Sequence, residues 1–411
     1  MKHSMLFVLA AVLLMGAGCS KSEPQAPAKP ASFKEDVAFL QQYRRVAVLE
    51  ETMGMAQIAV NPDLQGRVMT STAGGPEGLS FGWINRAMFA SGENNLHMNA
   101  FGGEDRFWLG PEGGQFSLFF KKGAPFNLDH WFTPPPINEG DFQIVSQQMS
   151  TIHFRKSMHL VNYSGTEFDL ELNRVVSILD KAALAGLGVT LPDGVRSVAY
   201  ASDNAITNTG MNPWTKETGL LSIWILGMFN PSPSTTIVVP FKAGEDSALG
   251  PIVNDAYFGK VPADRLILGP GVLFFKGDGL HRSKIGIPPR RALPFIGSYD
   301  AANSVLTLVH LTLPEGAADY VNSMWEIQKN PYGGDVVNSY NDGPASPGAK
   351  PLGPFYEIES SSPAVALRPD GILRHVHTTM HFQGPETALD EIARRTLGVG
   401  LAEIKNAFVT K

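Results

Sequence analysis

The segment Phe168-Asp169-Leu170-Glu171-Leu172-Asn173-Arg174-Val175-Val176-Ser177-Ile178 alternates apolar and polar side chains. A period of two puts Phe168, Leu170 and Leu172 on one face and Asp169, Glu171 and Asn173 on the other, as in a strand with one buried face. Shorter strand-like segments recur at 45–49, 56–60, 67–72, 116–120, 204–208, 220–228, 235–239, 274–275, 283–287, 305–313, 355–360 and 373–382. Asn61-Pro62-Asp63, Ala73-Gly74-Gly75-Pro76 and Thr133-Pro134-Pro135-Pro136 punctuate them as turns and rigid loops, and 42 Gly and 30 Pro suit a chain of many short strands. Helical spacing is confined to the margins. Ser32-Phe33-Lys34-Glu35 has the form of a capping box, with Phe33, Val37 and Leu40 on one helical face. Leu389, Ile392, Ala393 and Leu397 follow Pro385-Glu386 at helical spacing, with Gly398 as the stop. So many half-buried strands must stack as sheets, which predicts a mostly β fold of two packed antiparallel sheets with short helices at the N- and C-termini. No polar linker interrupts residues 32–411, which predicts a single domain. No fixed repeat period supports a propeller or solenoid.

Lys2 and His3 precede an apolar run over 5–15, too short to span a bilayer. The run ends in Gly16-Ala17-Gly18-Cys19-Ser20, which resembles the lipobox of bacterial lipoproteins. That resemblance implies a signal peptide over 1–18, lipid attachment at Cys19, and a lipidated tether over 19–31. Ser20 then favours the outer membrane of the bacterial cell envelope. Cys19 is the only cysteine, so an intramolecular disulfide and a thiolate metal cluster are both excluded. The net charge of −6 and the lack of a basic tract argue against nucleic acid as a partner. There is no Gly-x-Ser-x-Gly elbow, phosphate loop or dinucleotide fingerprint. Oligomeric state is left open.

Residues 102–115 read Gly102-Gly103-Glu104-Asp105-Arg106-Phe107-Trp108-Leu109-Gly110-Pro111-Glu112-Gly113-Gly114-Gln115. Turn residues, three carboxylates, an Arg and a Trp occur together here. Arg106, Trp108 and Glu112 are expected to contact a ligand, with His97, Asp129, His130 and Trp131 as neighbours: indole stacks on a sugar's C–H face while charged groups take its hydroxyls. The other reading makes Trp108 and Trp131 core residues. Late in the chain, Glu357 and Glu359 stand two apart in a predicted strand, on one face and roughly 6–7 Å from each other. Neighbouring carboxylates raise each other's pKa, as general acid–base chemistry at neutral pH requires. His375, His377 and His381 share another strand face with Thr379. Two imidazoles at i and i+2 suit one metal, whereas all three on one ion would need a bulge. No cofactor is expected. His281-Arg282-Ser283-Lys284 is a basic cluster that suits either an acidic sugar or a solvated turn.

Four stretches together carry a family likeness: Gly66-Arg67-Val68; the glycine-rich segment with Trp108; Thr207-Asn208-Thr209-Gly210 with Pro213-Trp214; and Phe355-Tyr356-Glu357-Ile358-Glu359-Ser360 with Pro363. The chain resembles the galactose-mutarotase-like superfamily, and within it a group of bacterial lipoproteins carrying that domain. The resemblance implies a β-supersandwich and a sugar or glycan partner. It also implies a catalytic Glu in the strand carrying Glu357 and Glu359; the residues themselves add His377 to the expected acid–base groups and put Arg106, Trp108, Glu112, His97, His375 and His381 in expected substrate contact. It departs from the family at Phe101, where a His precedes the paired glycines. The expectation is an envelope lipoprotein acting on carbohydrate as an aldose mutarotase or epimerase type of enzyme. The alternatives are a non-catalytic carbohydrate-binding lipoprotein of a glycan-uptake system and a structural envelope protein.

Overall fold

Strand pairing sorts the alternating segments into three antiparallel sheets. The computed structural model describes residues 30–138, 140–346 and 348–409; the expected signal peptide, Cys19 and the tether through residue 29 lie outside them. The large sheet has ten strands, in the order Leu266–Gly269, Val272–Lys276, Thr235–Pro240, Phe295–Asp300, Val305–Leu311, Ile372–Gln383, Arg196–Asn208, Glu167–Ile178, Thr151–Val161 and Gln143–Gln147. The small sheet has five: Ser283–Ile287, Val337–Asn341, Tyr356–Ser361, Ser222–Phe229 and Arg106–Gly110. Ala47–Glu50, Gln57–Asn61 and Arg67–Thr72 make the third.

The large and small sheets stack through their apolar faces. Ile285, Ile287, Val337, Tyr356 and Ile358 of the small sheet meet Ile237, Val239, Phe275, Ile296, Val309 and Leu311 of the large one. Further along, Phe107, Leu109, Ile223 and Ile225 join Phe154, Leu170, Leu172 and Val176, together with Ile58 and Val68 of the third sheet. The outer face of the large sheet is apolar as well. The helices Glu386–Leu397 and Leu401–Asn406 cover it, with Leu389, Ile392, Leu397 and Ile404 on Val238, Phe274, Leu306, Leu308, Met380 and Phe382. From Ala31 on, the chain forms one compact unit.

The period-two reading holds closely in Glu167–Ile178, where Phe168, Leu170 and Leu172 are fully buried. Both marginal helices form. Ser32 and Glu35 make the reciprocal capping box, and Gly398 takes the left-handed conformation that ends the long C-terminal helix. Elsewhere the expectations need correction. Residues 116–120 are a turn rather than a strand, because Ser117 Oγ bonds the Glu112 carbonyl and accepts from the Phe119 N–H, closing the backbone on itself. Short helices also occur inside the chain, at Arg86–Ser91 and Lys181–Gly186, each begun by an Asn or Asp cap. The glycine-rich stretch is not loop throughout: Arg106–Gly110 is an edge strand of the small sheet.

Gly103 makes that strand's entry possible. It sits at φ +111°, and a Cβ there would lie 2.6 Å from Arg67 Cδ. Gly103→Ala is therefore expected to destabilise the fold by about 1–3 kcal/mol through backbone strain and displacement of a buried arginine. Urea unfolding checks this, and a shift below about 0.5 kcal/mol would contradict it.

Candidate active site

The outer face of the small sheet differs from every other face of the sandwich. In antiparallel pairs, residues directly opposite each other share a face. Lys284 pairs with Tyr340 and Tyr340 with Glu357. Asn338 pairs with Glu359, Glu359 with Leu226, and Leu226 with Arg106. Ser361 pairs with Trp224, and Trp224 with Trp108. Arg106, Lys284, Glu357 and Glu359 thus point away from the inter-sheet core, yet all four are buried beneath loops.

Buried charge is costly unless paired, and the pairing here is specific. Glu359, with no exposed surface, accepts from Lys284 Nζ and from Trp224 Nε1, both at 2.9 Å to Oε2. Its Oε1 has no partner. The Lys284 ammonium lies 4.9 Å from the Trp224 ring and 5.6 Å from that of Tyr257. Burial pulls its pKa down, but Glu359, Glu112 and Glu357 outweigh that and hold it above the ordinary lysine value. Arg106 stands 4.2 Å from the centre of the Trp108 ring and donates to Glu357 Oε1 at 3.3 Å. Its other arm reaches Met98 Sδ at 3.6 Å. Burial first, then the neighbouring Glu359, pushes the Glu357 carboxyl up to about 8 despite Arg106 and Lys284. Burial and the neighbouring Glu359 thus favour the protonated form of Glu357.

Beside this cluster opens a cleft of about 420 Å³, within the range of small-ligand sites. Trp131, Trp325, Tyr340, Met98, Glu112 and Arg282 line it, with His97, Asn95, Asp129, Phe258, Asp342 and Lys350. Burial raises the Glu112 carboxyl, while Lys284 and the indoles of Trp325 and Trp131 draw it back. Trp131 Nε1 nevertheless makes no hydrogen bond of good geometry. The loop carrying Trp325 presses on the glycine-rich stretch: a Cβ on Gly113 would stand 2.3 Å from the Met324 carbonyl oxygen.

The structure thus places the expected residues in three groups. His97, Glu112, Asp129 and Trp131 reach the cleft, with His97 Nδ1 2.6 Å from the Trp131 carbonyl oxygen. Arg106, Glu357 and Glu359 do not line the cleft but stand behind its wall, Arg106 against Met98 and Glu357 opposite Tyr340 in the sheet, and both Met98 and Tyr340 line it. The third group is not brought to this site. Trp108 is 4% exposed and packs against Trp131, Trp224 and Phe119, supporting the platform rather than presenting it. His375, His377 and His381 lie between the sheets, on the other side of the strand that carries Glu357 and Glu359. Ser360 faces the opposite way from its neighbours Glu357 and Glu359, and its Oγ meets His375 Nε2 at 2.7 Å and His377 Nδ1 at 2.8 Å. Burial pushes His375 down to about 3 and His377 to about 4, so both are neutral. His381 meets Glu104 Oε2 at 3.1 Å and Thr307 Oγ1 at 2.9 Å. His130 is exposed and bonded to Asn127. Among the described residues, no group of three His, Cys, Asp or Glu could hold a metal ion.

Sequence reasoning missed Trp325 and undervalued Lys284. A Trp in the polar run Asn322-Ser323-Met324-Trp325-Glu326 was a usable signal. Nothing in the sequence paired Lys284 with Glu359.

A family model matches residues 31–408. The chain belongs to the family of unknown function DUF6786. No curated protein matches it. Among solved structures, this DUF6786 chain is similar to a Synechocystis sp. PCC 6803 protein, at 11% identity and a TM-score of 0.48, over 83% of this chain and 96% of that one. It is also similar to a galactose mutarotase-like protein from Lactobacillus casei, at 11% identity and 0.44, over 82% and 99%. A galactose mutarotase related enzyme from Lactobacillus acidophilus gives 10% and 0.45, over 83% and 98%. The layered antiparallel sheets agree with the mostly β fold of packed antiparallel sheets expected from the sequence.

Lys284 neutralises a fully buried carboxylate, so its removal should be costly. Lys284→Met is expected to lower stability by about 3–5 kcal/mol, with much of the loss recovered in Lys284→Met/Glu359→Gln. Chemical denaturation of the two variants tests this, and equal losses in both would remove the pair from its place in the fold.

Proposed function

We propose that the cleft binds a carbohydrate and that Glu357 is the proton donor of a mutarotase- or epimerase-type reaction, in a lipoprotein anchored at the cell envelope through Cys19. What supports this reading is the buried Glu357 carboxyl, paired in the sheet with cleft-lining Tyr340 and pushed upward by burial and Glu359, behind a cleft walled by two indoles. Opening a sugar ring needs an acid at the ring oxygen and a base at the anomeric hydroxyl. Two carboxyls in different environments divide those roles. Glu357 holds a proton to give. Glu112 lies in the cleft wall, with a pKa raised by burial that strengthens it as a base. Glu359, clamped by Lys284 and Trp224, is the fixed charge that helps keep Glu357 protonated. Trp131 and Trp325 offer the apolar face on which a sugar stacks.

A non-catalytic binding protein is the second reading. The observation in its favour is that none of the three late histidines reaches the cleft, so Glu357 and Glu359 lack the His377 partner expected from the sequence.

Anomeric exchange of aldoses, followed by NMR on the domain lacking residues 1–31, separates the two readings. Glu357→Gln is expected to lower turnover at least about 100-fold while sugar binding persists. The acid form is present below about pH 8, so the rate should fall as pH rises through that value. Binding without exchange in the wild type would leave the binding reading standing. For the anchor, Cys19→Ser is expected to move the full-length protein from the membrane to the soluble fraction and to abolish fatty-acid labelling. Labelling that survives the substitution would refute lipidation at this residue.

A further inference from the structure

Of the buried arginines, Arg174, Arg265 and Arg291 each have a carboxylate within ion-pair distance, Arg106 donates to Glu357, and Arg67 donates to the Gly102 carbonyl and the Gln65 amide oxygen. Arg282 differs. Among the described residues no Asp or Glu oxygen lies within 4.0 Å of it, although it is half-buried and lines the cleft. Its guanidinium is held 3.9 Å from the centre of the Phe258 ring, a contact that fixes the plane of the fork and leaves its N–H edges unused. The acid best placed to neutralise it is already engaged. Asp342 accepts from Tyr340 Oη at 3.0 Å on one oxygen and from the Gly353 N–H at 2.9 Å on the other. Lys350 lines the same cleft and likewise has no carboxylate within ion-pair distance among the described residues. The cleft's own acids are occupied or distant in character: Glu112 is drawn to Lys284 and the indoles, and Asp129 is solvent-exposed.

We propose that Arg282 and Lys350 form an anion-binding end of the cleft, so that its ligand is a sugar acid whose carboxylate docks on the Arg282 fork. This deepens the carbohydrate reading above and rests on it. A stacked, planar, half-desolvated guanidinium suits bidentate capture of a carboxylate, while Lys350 adds a mobile point charge at the mouth. The indoles and the Glu357 acid would then address the ring and its anomeric oxygen, with the carboxylate setting the ring's orientation.

The test is calorimetric titration of the domain lacking residues 1–31 with glucuronic acid against glucose, and galacturonic acid against galactose, as free sugars and as disaccharides. The acid of each pair is expected to bind at least about tenfold tighter, with the advantage shrinking as salt rises. Arg282→Gln should erase that preference, so that the acid and neutral sugar of each pair bind alike, and Lys350→Gln should reduce it in part. Should Arg282→Gln fail to fold, as judged by thermal melting, Lys350→Gln and the salt dependence carry the test. Equal binding of acid and neutral sugar, or a preference that survives in Arg282→Gln, would overturn the anion site and leave the carbohydrate reading intact. Tighter binding of glucose 6-phosphate than of glucuronic acid would overturn the carboxylate assignment in favour of phosphate. Failure of every sugar to bind would overturn both.

Discussion

The outer face of the small sheet depends on the Lys284 ammonium against the Glu359 carboxylate. Glu357 and Glu359 stand two residues apart on a buried strand face, where two negative charges could not be sustained together. Lys284 and the Trp224 indole ease the conflict by holding Glu359, and burial then favours the protonated form of Glu357. Three strands remote in sequence, carrying Arg106, Lys284 and the glutamate pair, must align for this to happen. The face is consequently a unit: none of its charges is tolerable without the others.

A second polar cluster lies on the inner side and has a different character. Glu104 accepts from Ser71 of the third sheet and from Tyr200 of the large sheet, and meets His381 of the large sheet, just before its own chain enters the small sheet. Asp105, the next residue, pairs with the fully buried Arg174 at 2.6 Å. These bonds tie three sheets together where apolar packing alone would not fix their register. They use two of the three carboxylates in the glycine-rich stretch, so only Glu112 is left to face the cleft. Neutral His375 and His377, bonded to Ser360 in the same interior, belong with this internal scaffold.

The two clusters divide the labour of the small sheet. Its inner face is pinned by hydrogen bonds and aliphatic packing. Its outer face holds charges behind a cleft whose walls come from loops: Trp131 from one, Trp325 from another, Arg282 from the entry to an edge strand. A rigid sheet with loop walls allows the reacting carboxyl to stay fixed while the ligand-contacting groups set selectivity.

Much of the fold was legible in the amino-acid order, because hydrophobic alternation is a local signal. Glu167–Ile178 could be read residue by residue, and so could both marginal helices, whose caps lie within four residues of what they cap. The Glu357–Glu359 pair was legible for the same reason, since period two dictates a shared face. Strand alternation also separates Ser360 from those glutamates, and with it the histidines, but only the packing of the large sheet revealed which face His375 and His377 would meet. Residues 116–120 misled because a serine side chain can close a turn inside an apolar run. The tertiary structure alone decided that Trp108 supports rather than presents the platform, that Lys284 belongs to Glu359, and that Arg282 has no acid within ion-pair distance among the described residues. Such facts depend on contacts between separate segments, 75 residues apart for Lys284 and Glu359, and on burial, which shifts the charge a side chain carries.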